Sequence, residues 1–143
     1  KGFTQVLWLD AFERKYIEEV GTMNIFFLID DKLVTAPLNG TILGGVTRDS
    51  VINIAEDWGV DVEERRITID EVFEADANGD LQEVFGSGTA AVISPVGTIQ
   101  HRDKSITIHN NSVGPFAKSL FDEITGIQYG KKEDRFGWIH RID

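Results

Sequence analysis

The sequence predicts one domain in which strands and helices are mixed, α/β or α+β. Three observations predict it. Short segments rich in β-branched and aromatic residues recur between turn signals. Two longer segments, near residues 51–58 and 112–124, carry apolar residues at helical spacing. The two kinds of segment do not alternate as regular βαβ units.

Along the chain, residues 4–9 alternate and predict a strand. Residues 10–15 are polar and predict a turn. Residues 22–29 are almost continuously apolar, as in a strand buried on both faces. Asp30-Asp31 is a hairpin signal, and residues 32–36 return as its partner. Residues 37–45 hold Pro37, Asn39 and three glycines and predict a long loop. Val51, Ile52, Ile54, Ala55 and Trp58 follow a helical period that Gly59 ends, with Trp58 expected in the core. Residues 60–67 alternate as a strand. Thr68, with Glu71 three residues later, is an N-cap signature for a short helix stopping near Asn78-Gly79. Strands are expected at 81–85, 90–96 and 105–109, with a tight turn at 86–89. The segment 112–124 predicts an amphipathic helix with Phe116, Leu120, Phe121 and Ile124 on one face. Phe136 and Trp138 predict that the charged tail packs onto the domain.

Composition narrows the chemistry. The formal net charge of −10 disfavours nucleic acid, whose phosphates need clustered Lys and Arg. The chain has no cysteine, which excludes disulfides, thiolate metal sites and cysteine nucleophiles. His101, His109 and His140 lack ligand spacing, so no metal is expected. No apolar run approaches the roughly 20 residues of a membrane span. The start at Lys1-Gly2-Phe3, directly before a strand, suggests a piece of something larger.

Three segments carry candidate chemistry. Glu18-Glu19 is a carboxylate pair just before the apolar run, readable as a polar turn or as a carboxylate at the edge of a pocket. Leu43-Gly44-Gly45-Val46-Thr47-Arg48 sets a glycine loop before a helix, whose first N–H groups favour an anion. Arg48 can reach that anion or form a surface salt bridge. Phe85-Gly86-Ser87-Gly88-Thr89-Ala90 joins two strands through small residues and is either a plain hairpin or a cup for a carboxylate or phosphate. Each alone is ordinary; the three together raise the case for an anionic ligand.

In their order and spacing, Glu19-Val20-Gly21-Thr22-Met23-Asn24, residues 42–48 and residues 85–90 resemble the signature segments of branched-chain amino acid aminotransferases. Gly114-Pro115 and Ile127-Gln128-Tyr129-Gly130 add to the resemblance, which runs over essentially the whole chain. It implies an α+β fold: a mixed sheet or pseudo-barrel with flanking helices, the large C-terminal domain of the pyridoxal-phosphate fold shared with D-amino acid aminotransferases. It implies that residues 1–143 are that cofactor-binding domain, without the N-terminal domain. The cofactor implied is pyridoxal 5′-phosphate. Glu19 is expected at its pyridine nitrogen, Leu43 on its ring, and the N–H groups of Val46 and Thr47 with the Thr89 hydroxyl at its phosphate. Thr22, with the backbone of Thr89 and Ala90, is expected near the substrate carboxylate. The implied reaction passes an amino group between Leu, Ile or Val and 2-oxoglutarate, in a cytoplasmic homodimer.

The chain also departs from that family. The family's catalytic lysine belongs to an upstream Lys-x-Gly-Gly-Asn-Tyr type segment, which Lys1-Gly2-Phe3-Thr4 does not match. No catalytic residue is therefore expected within the chain, and by itself it is expected to be inactive. Gly44 stands where many relatives have proline. The alternatives are a catalytically dead or structural module, or a relative of D-amino acid aminotransferase or aminodeoxychorismate lyase; the Glu-Val-Gly-Thr-Met-Asn segment disfavours the latter two.

Overall fold

The computed structural model describes residues 2–142; Lys1, read above as outside the lysine motif, lies outside the described residues. The architecture is α+β. Seven strands form one mixed sheet: β1 Leu7–Leu9, β2 Ile17–Val20, β3 Met23–Ile29, β4 Lys32–Thr35, β5 Val62–Glu64, β6 Leu81–Gly88 and β7 Val92–Pro95. A separate hairpin holds β8 Thr98–His101 and β9 Lys104–Thr107. The helices are α1 Val46–Asp57, α2 Ile69–Ala77 and α3 Pro115–Gln128.

β3 is the axis of the sheet. Asn24 pairs with Glu19 of β2 and with Ser87 of β6, so these strands lie on opposite edges of β3. Phe26 pairs likewise with Thr35 of β4 and Phe85 of β6. β2 and β4 therefore share one edge of β3 in succession, which splays the sheet. The turn between β3 and β4 is Asp30-Asp31, with φ of 48° and 61°. Two left-handed residues match the right-handed twist of a tight hairpin, and Asp tolerates that conformation.

Side chains of β3 alternate between two apolar layers, as its apolar run requires. Phe26, with Phe85, packs against Val51, Ile54 and Ala55 of α1 and Leu120 and Ile124 of α3. The two Phe rings stack 5.3 Å apart. Ile25 and Phe27 face the other way, onto Val72 of α2 and Ile99 and Ile106 of the small hairpin. Each fully buried side chain of this size contributes roughly 1.5–3 kcal/mol relative to exposure.

The helices begin in three different ways. Thr68 caps α2, its Oγ1 accepting the Glu71 N–H at 3.0 Å. The Glu71 carboxylate turns instead to Arg65. α3 starts at Pro115, and the buried Glu83 carboxylate of β6 accepts from the Phe116 and Ala117 N–H groups, each at 2.9 Å. α1 has no side-chain cap at all.

Several expectations change. Glu18-Glu19, readable as a polar turn, lies within β2, because Ile17 and Val20 on either side are buried while the glutamates are not. Gly86, Ser87 and Gly88 continue β6, and the turn is Thr89-Ala90-Ala91. The glycines serve the packing: a Cβ on either would meet the Met23 side chain at 3.0 Å. The strand expected over 60–67 is paired only at Val62–Glu64, and β8 adds to the expected strands. Phe121 is exposed; the buried face of α3 is Ala117, Leu120, Ile124 and Ile127. Trp58 lies at the surface edge, its ring meeting Phe116 edge-on. The tail packs as expected: Phe136 joins the α1–α3 layer, and Arg135 bonds Asp57 and Glu123.

Asp10 folds the polar turn before β2. Its carboxylate accepts the N–H groups of Glu13, Lys15 and Tyr16 at 2.7, 3.0 and 2.9 Å. Those bonds, the one from Glu13 above all, hold its pKa well below the usual carboxylate range. Glu123 is likewise lowered, first by Lys132 and then by Arg135. A depressed folded pKa adds stability that is present above the unfolded value and lost as pH falls toward the folded one. Stability should therefore hold above about pH 5 and decline through the range below about pH 4. Denaturant midpoints measured against pH should fall less for Asp10→Asn than for the parent; equal falls would remove Asp10 from this account.

Candidate functional site

The polar residues of the sheet collect at one end. Directly opposed residues of an antiparallel pair share a face, so Glu19, Asn24 and Ser87 form one row across β2, β3 and β6. It lies on the α1 side of β3, since Asn24 is two residues from Phe26. Asn24 and Ser87 are buried, at 6% and 1% exposure, and the Ser87 hydroxyl has no partner among the described residues.

The loop after β4 returns against this row. The Leu43 N–H donates to Glu19 Oε1 at 3.0 Å. Asn24 Nδ2 donates to the Leu43 carbonyl at 2.8 Å, which also accepts the Gly45 N–H at 3.0 Å. Gly45 lies so close that a Cβ there would stand 2.5 Å from Asn24 Oδ1. α1 then starts at Val46 with its first N–H groups uncapped. Free helix N–H groups are a ready anion site.

The side chains around this corner are apolar and open. Leu43 is 78% and Val46 83% exposed. Beside Glu19, a hollow of about 300 Å³ is bordered by Glu18, Glu19, Trp8, Phe12 and Thr41. Glu18 is turned away from the row and accepts from the Thr41 hydroxyl at 3.1 Å. The corner thus offers an anion cradle, an apolar flank and a carboxylate acceptor. That set suits a flat ligand with an anion at one end and a protonated nitrogen elsewhere.

Two hairpin tips flank the row. The β2–β3 tip is Gly21-Thr22, and the β6–β7 tip is Thr89-Ala90-Ala91. They lie at the same end of the sheet, because β3 begins where β6 ends and Gly88 packs on Met23. Thr22, Thr89 and Ala90 are exposed there. Asn24 connects the parts: it touches Leu43 and Gly45 and pairs with Ser87, two residues before Thr89. Glu19, Leu43, Val46, Thr47, Thr22, Thr89 and Ala90 therefore share one corner.

Arg48 forms a salt bridge, as the sequence allowed, but from a buried position and with a carboxylate of the chain itself. It is 4% exposed and bonds the Ala36 carbonyl at 3.0 Å and Glu64 at 2.7 Å, tying α1 to β4 and β5. Asn24 and Ser87 are members of the row to which the sequence motifs assign no role. A usable signal exists for Asn24: an amide inside an apolar strand must find partners, since burial without hydrogen bonds is costly.

The two loop glycines respond oppositely to a methyl group. Gly45→Ala should destabilise the chain by about 1–3 kcal/mol, because Asn24 blocks the added carbon. Gly44 is not at positive φ, and a Cβ there meets only the mobile end of Leu38 at 3.2 Å. Gly44→Ala should therefore raise stability by about 0.4–1 kcal/mol through the unfolded state. Urea titrations of both variants check the pair of signs.

Residues 1–99 match the class IV amino-transferase family. A probable branched-chain-amino-acid aminotransferase of Staphylococcus epidermidis is 59% identical over 137 residues, covering 96% of this chain and 38% of that protein. The chain thus spans about two-fifths of the curated relative. The branched-chain amino acid aminotransferase of Escherichia coli superposes with a TM-score of 0.83 at 30% identity, over 99% of this chain and 43% of that one. The T.th. branched-chain amino acid aminotransferase, solved with pyridoxamine 5′-phosphate, superposes with a TM-score of 0.81 at 32% identity, over 99% of this chain and 43% of that one.

Proposed function

The chain belongs to the class IV amino-transferase family, and from that premise we propose that it is the C-terminal, cofactor-binding part of a branched-chain amino acid aminotransferase. The observation that carries the reading is the shared corner of Glu19, Leu43 and the uncapped start of α1, in a chain 59% identical to such a relative. The cofactor is pyridoxal 5′-phosphate, and the residues present fit it. Its phosphate matches the free N–H groups of Val46 and Thr47, with the Thr89 hydroxyl as a further donor. Its ring matches the exposed Leu43.

Bound pyridoxal phosphate supplies an electron sink for negative charge at the substrate α-carbon. Glu19 keeps the pyridine nitrogen protonated. One of its oxygens takes the Leu43 N–H, and a carboxylate has acceptor capacity left for a second donor. Thr22 and the backbone of Thr89 and Ala90, at the adjoining tips, orient the substrate carboxylate. The substrates are Leu, Ile or Val with 2-oxoglutarate. From the family resemblance the whole protein is proposed to be a cytoplasmic homodimer. No helix among the described residues is long and apolar enough to cross a membrane.

The lysine that moves the proton at the substrate α-carbon is placed by the family resemblance outside this chain, which covers 38% of the Staphylococcus epidermidis relative. None of Lys1, Lys15, Lys32, Lys104, Lys118, Lys131 and Lys132 stands in a segment like the family's lysine motif. The purified chain, mixed with pyridoxal phosphate, leucine and 2-oxoglutarate, should form no glutamate, whereas the protein that includes the lysine segment should. Both glutamate and cofactor absorbance are followed. Turnover by the chain alone, with one lysine captured stoichiometrically, would show that the catalytic residue has been misassigned.

A further inference from the structure

We propose that Asn24 is a positioning residue: it holds the Leu43–Gly45 segment in the shape that both presents the α1 N–H groups and aims Glu19. The proposal rests on the cofactor reading above and deepens it.

Asn24 is out of character with its strand. Its neighbours Ile25, Phe26, Phe27 and Leu28 are all buried and apolar, and Asn24 itself is 6% exposed. An amide in such a place costs stability unless it is bonded. Its Nδ2 bond goes out of the sheet, to the Leu43 carbonyl at 2.8 Å. It therefore adds nothing to the sheet's own hydrogen bonding; its partner is the loop.

The loop needs that partner. Gly44 and Gly45 follow one another, and glycines lose the most conformational freedom on ordering. Two successive peptide groups are pinned by two neighbours of one rung. Glu19 takes the N–H of Leu43, and Asn24 gives to its carbonyl. The same carbonyl closes a tight turn with the Gly45 N–H, so Asn24 and that turn saturate its two lone pairs. The Asn24 side chain also fills the space beside the Gly45 Cα. Gly45 is the residue from which α1 departs, at φ −64° and ψ 141°. One amide thus sets the direction of the first helical N–H groups. Through the Leu43 N–H it also sets the oxygen of Glu19 that remains free.

The test uses Asn24→Ala and Asn24→Asp. Aspartate keeps the volume and removes the donor. Amide hydrogen exchange of residues 42–47 is measured in the 143-residue chain without ligand, and affinities for pyridoxal phosphate and for pyridoxal are measured by equilibrium titration. Both variants should speed exchange at the bonded amides Ile42, Leu43 and Gly45 roughly tenfold while Phe26 and Phe85 stay protected. Both should lose roughly tenfold in affinity for pyridoxal phosphate and less for pyridoxal, because the phosphate depends on the helix start. Unchanged exchange and affinity would overturn the proposal. So would loss of protection throughout the sheet in both variants, which would make Asn24 a core residue only. If the parent binds no pyridoxal phosphate while exchange at 42–47 still responds, the cofactor reading fails and Asn24 stands as the clamp of the loop.

Discussion

Everything in this structure is referred to β3. It is hydrogen-bonded on both edges and buried on both faces, so it has no freedom to shift. A slip of one residue would exchange Phe26 with Phe27 between the two layers and turn Asn24 into the opposite one. The register of β3 against β6 and β2 therefore determines where Glu19, Asn24 and Ser87 stand. Because β4 takes over the same edge that β2 leaves, the loop after β4 is delivered to the row. The corner proposed for the cofactor arises at the point where the sheet splays.

The three helix starts differ in how their first N–H groups are satisfied. A buried or loosely held helix end must satisfy its first N–H groups somewhere. α2 uses its own Thr68, and α3 borrows Glu83 from the sheet. The Glu83 carboxylate fits because residue 114 is glycine: a Cβ there would collide with it. α1, the helix at the corner, has neither device. Its N-cap is a glycine pressed against Asn24. Leu43 and Val46 are exposed beside it.

Electrostatics do a different job. The chain carries a net charge of −10, and the cradle proposed for the phosphate is made of backbone N–H groups and not of basic side chains. Arg48, the cation nearest in sequence to the cradle, is engaged by Ala36 and Glu64. It braces α1 against β4 and β5 and so keeps the helix start in place. Glu123 is the matching brace at the other end, where Lys132 and Arg135 hold the tail over α1 and α3.

Much of the local structure is legible in the sequence because its causes are local. The apolar run of β3, the Asp30-Asp31 hairpin, the Thr68 cap and the glycine at the end of α1 each declare themselves within a few residues. The motif residues of the corner are legible too, since Glu19, the loop at 42–48 and the segment at 85–90 form a recognisable set. What the sequence by itself determined, then, is most of the elements in their order and the set of residues from which the site is proposed. The tertiary structure alone decided the rest. Gly86 and Gly88 look like turn residues until Met23 is seen lying across the strand. Arg48 looks like a surface charge until β4 and β5 close over it. Asn24 and Leu43 are 19 residues apart, and their hydrogen bond exists only because β4 shares an edge of β3 with β2. Contacts of that kind depend on strand pairing between distant segments, and pairing is set by the packing of both layers at once, which no local window of sequence contains.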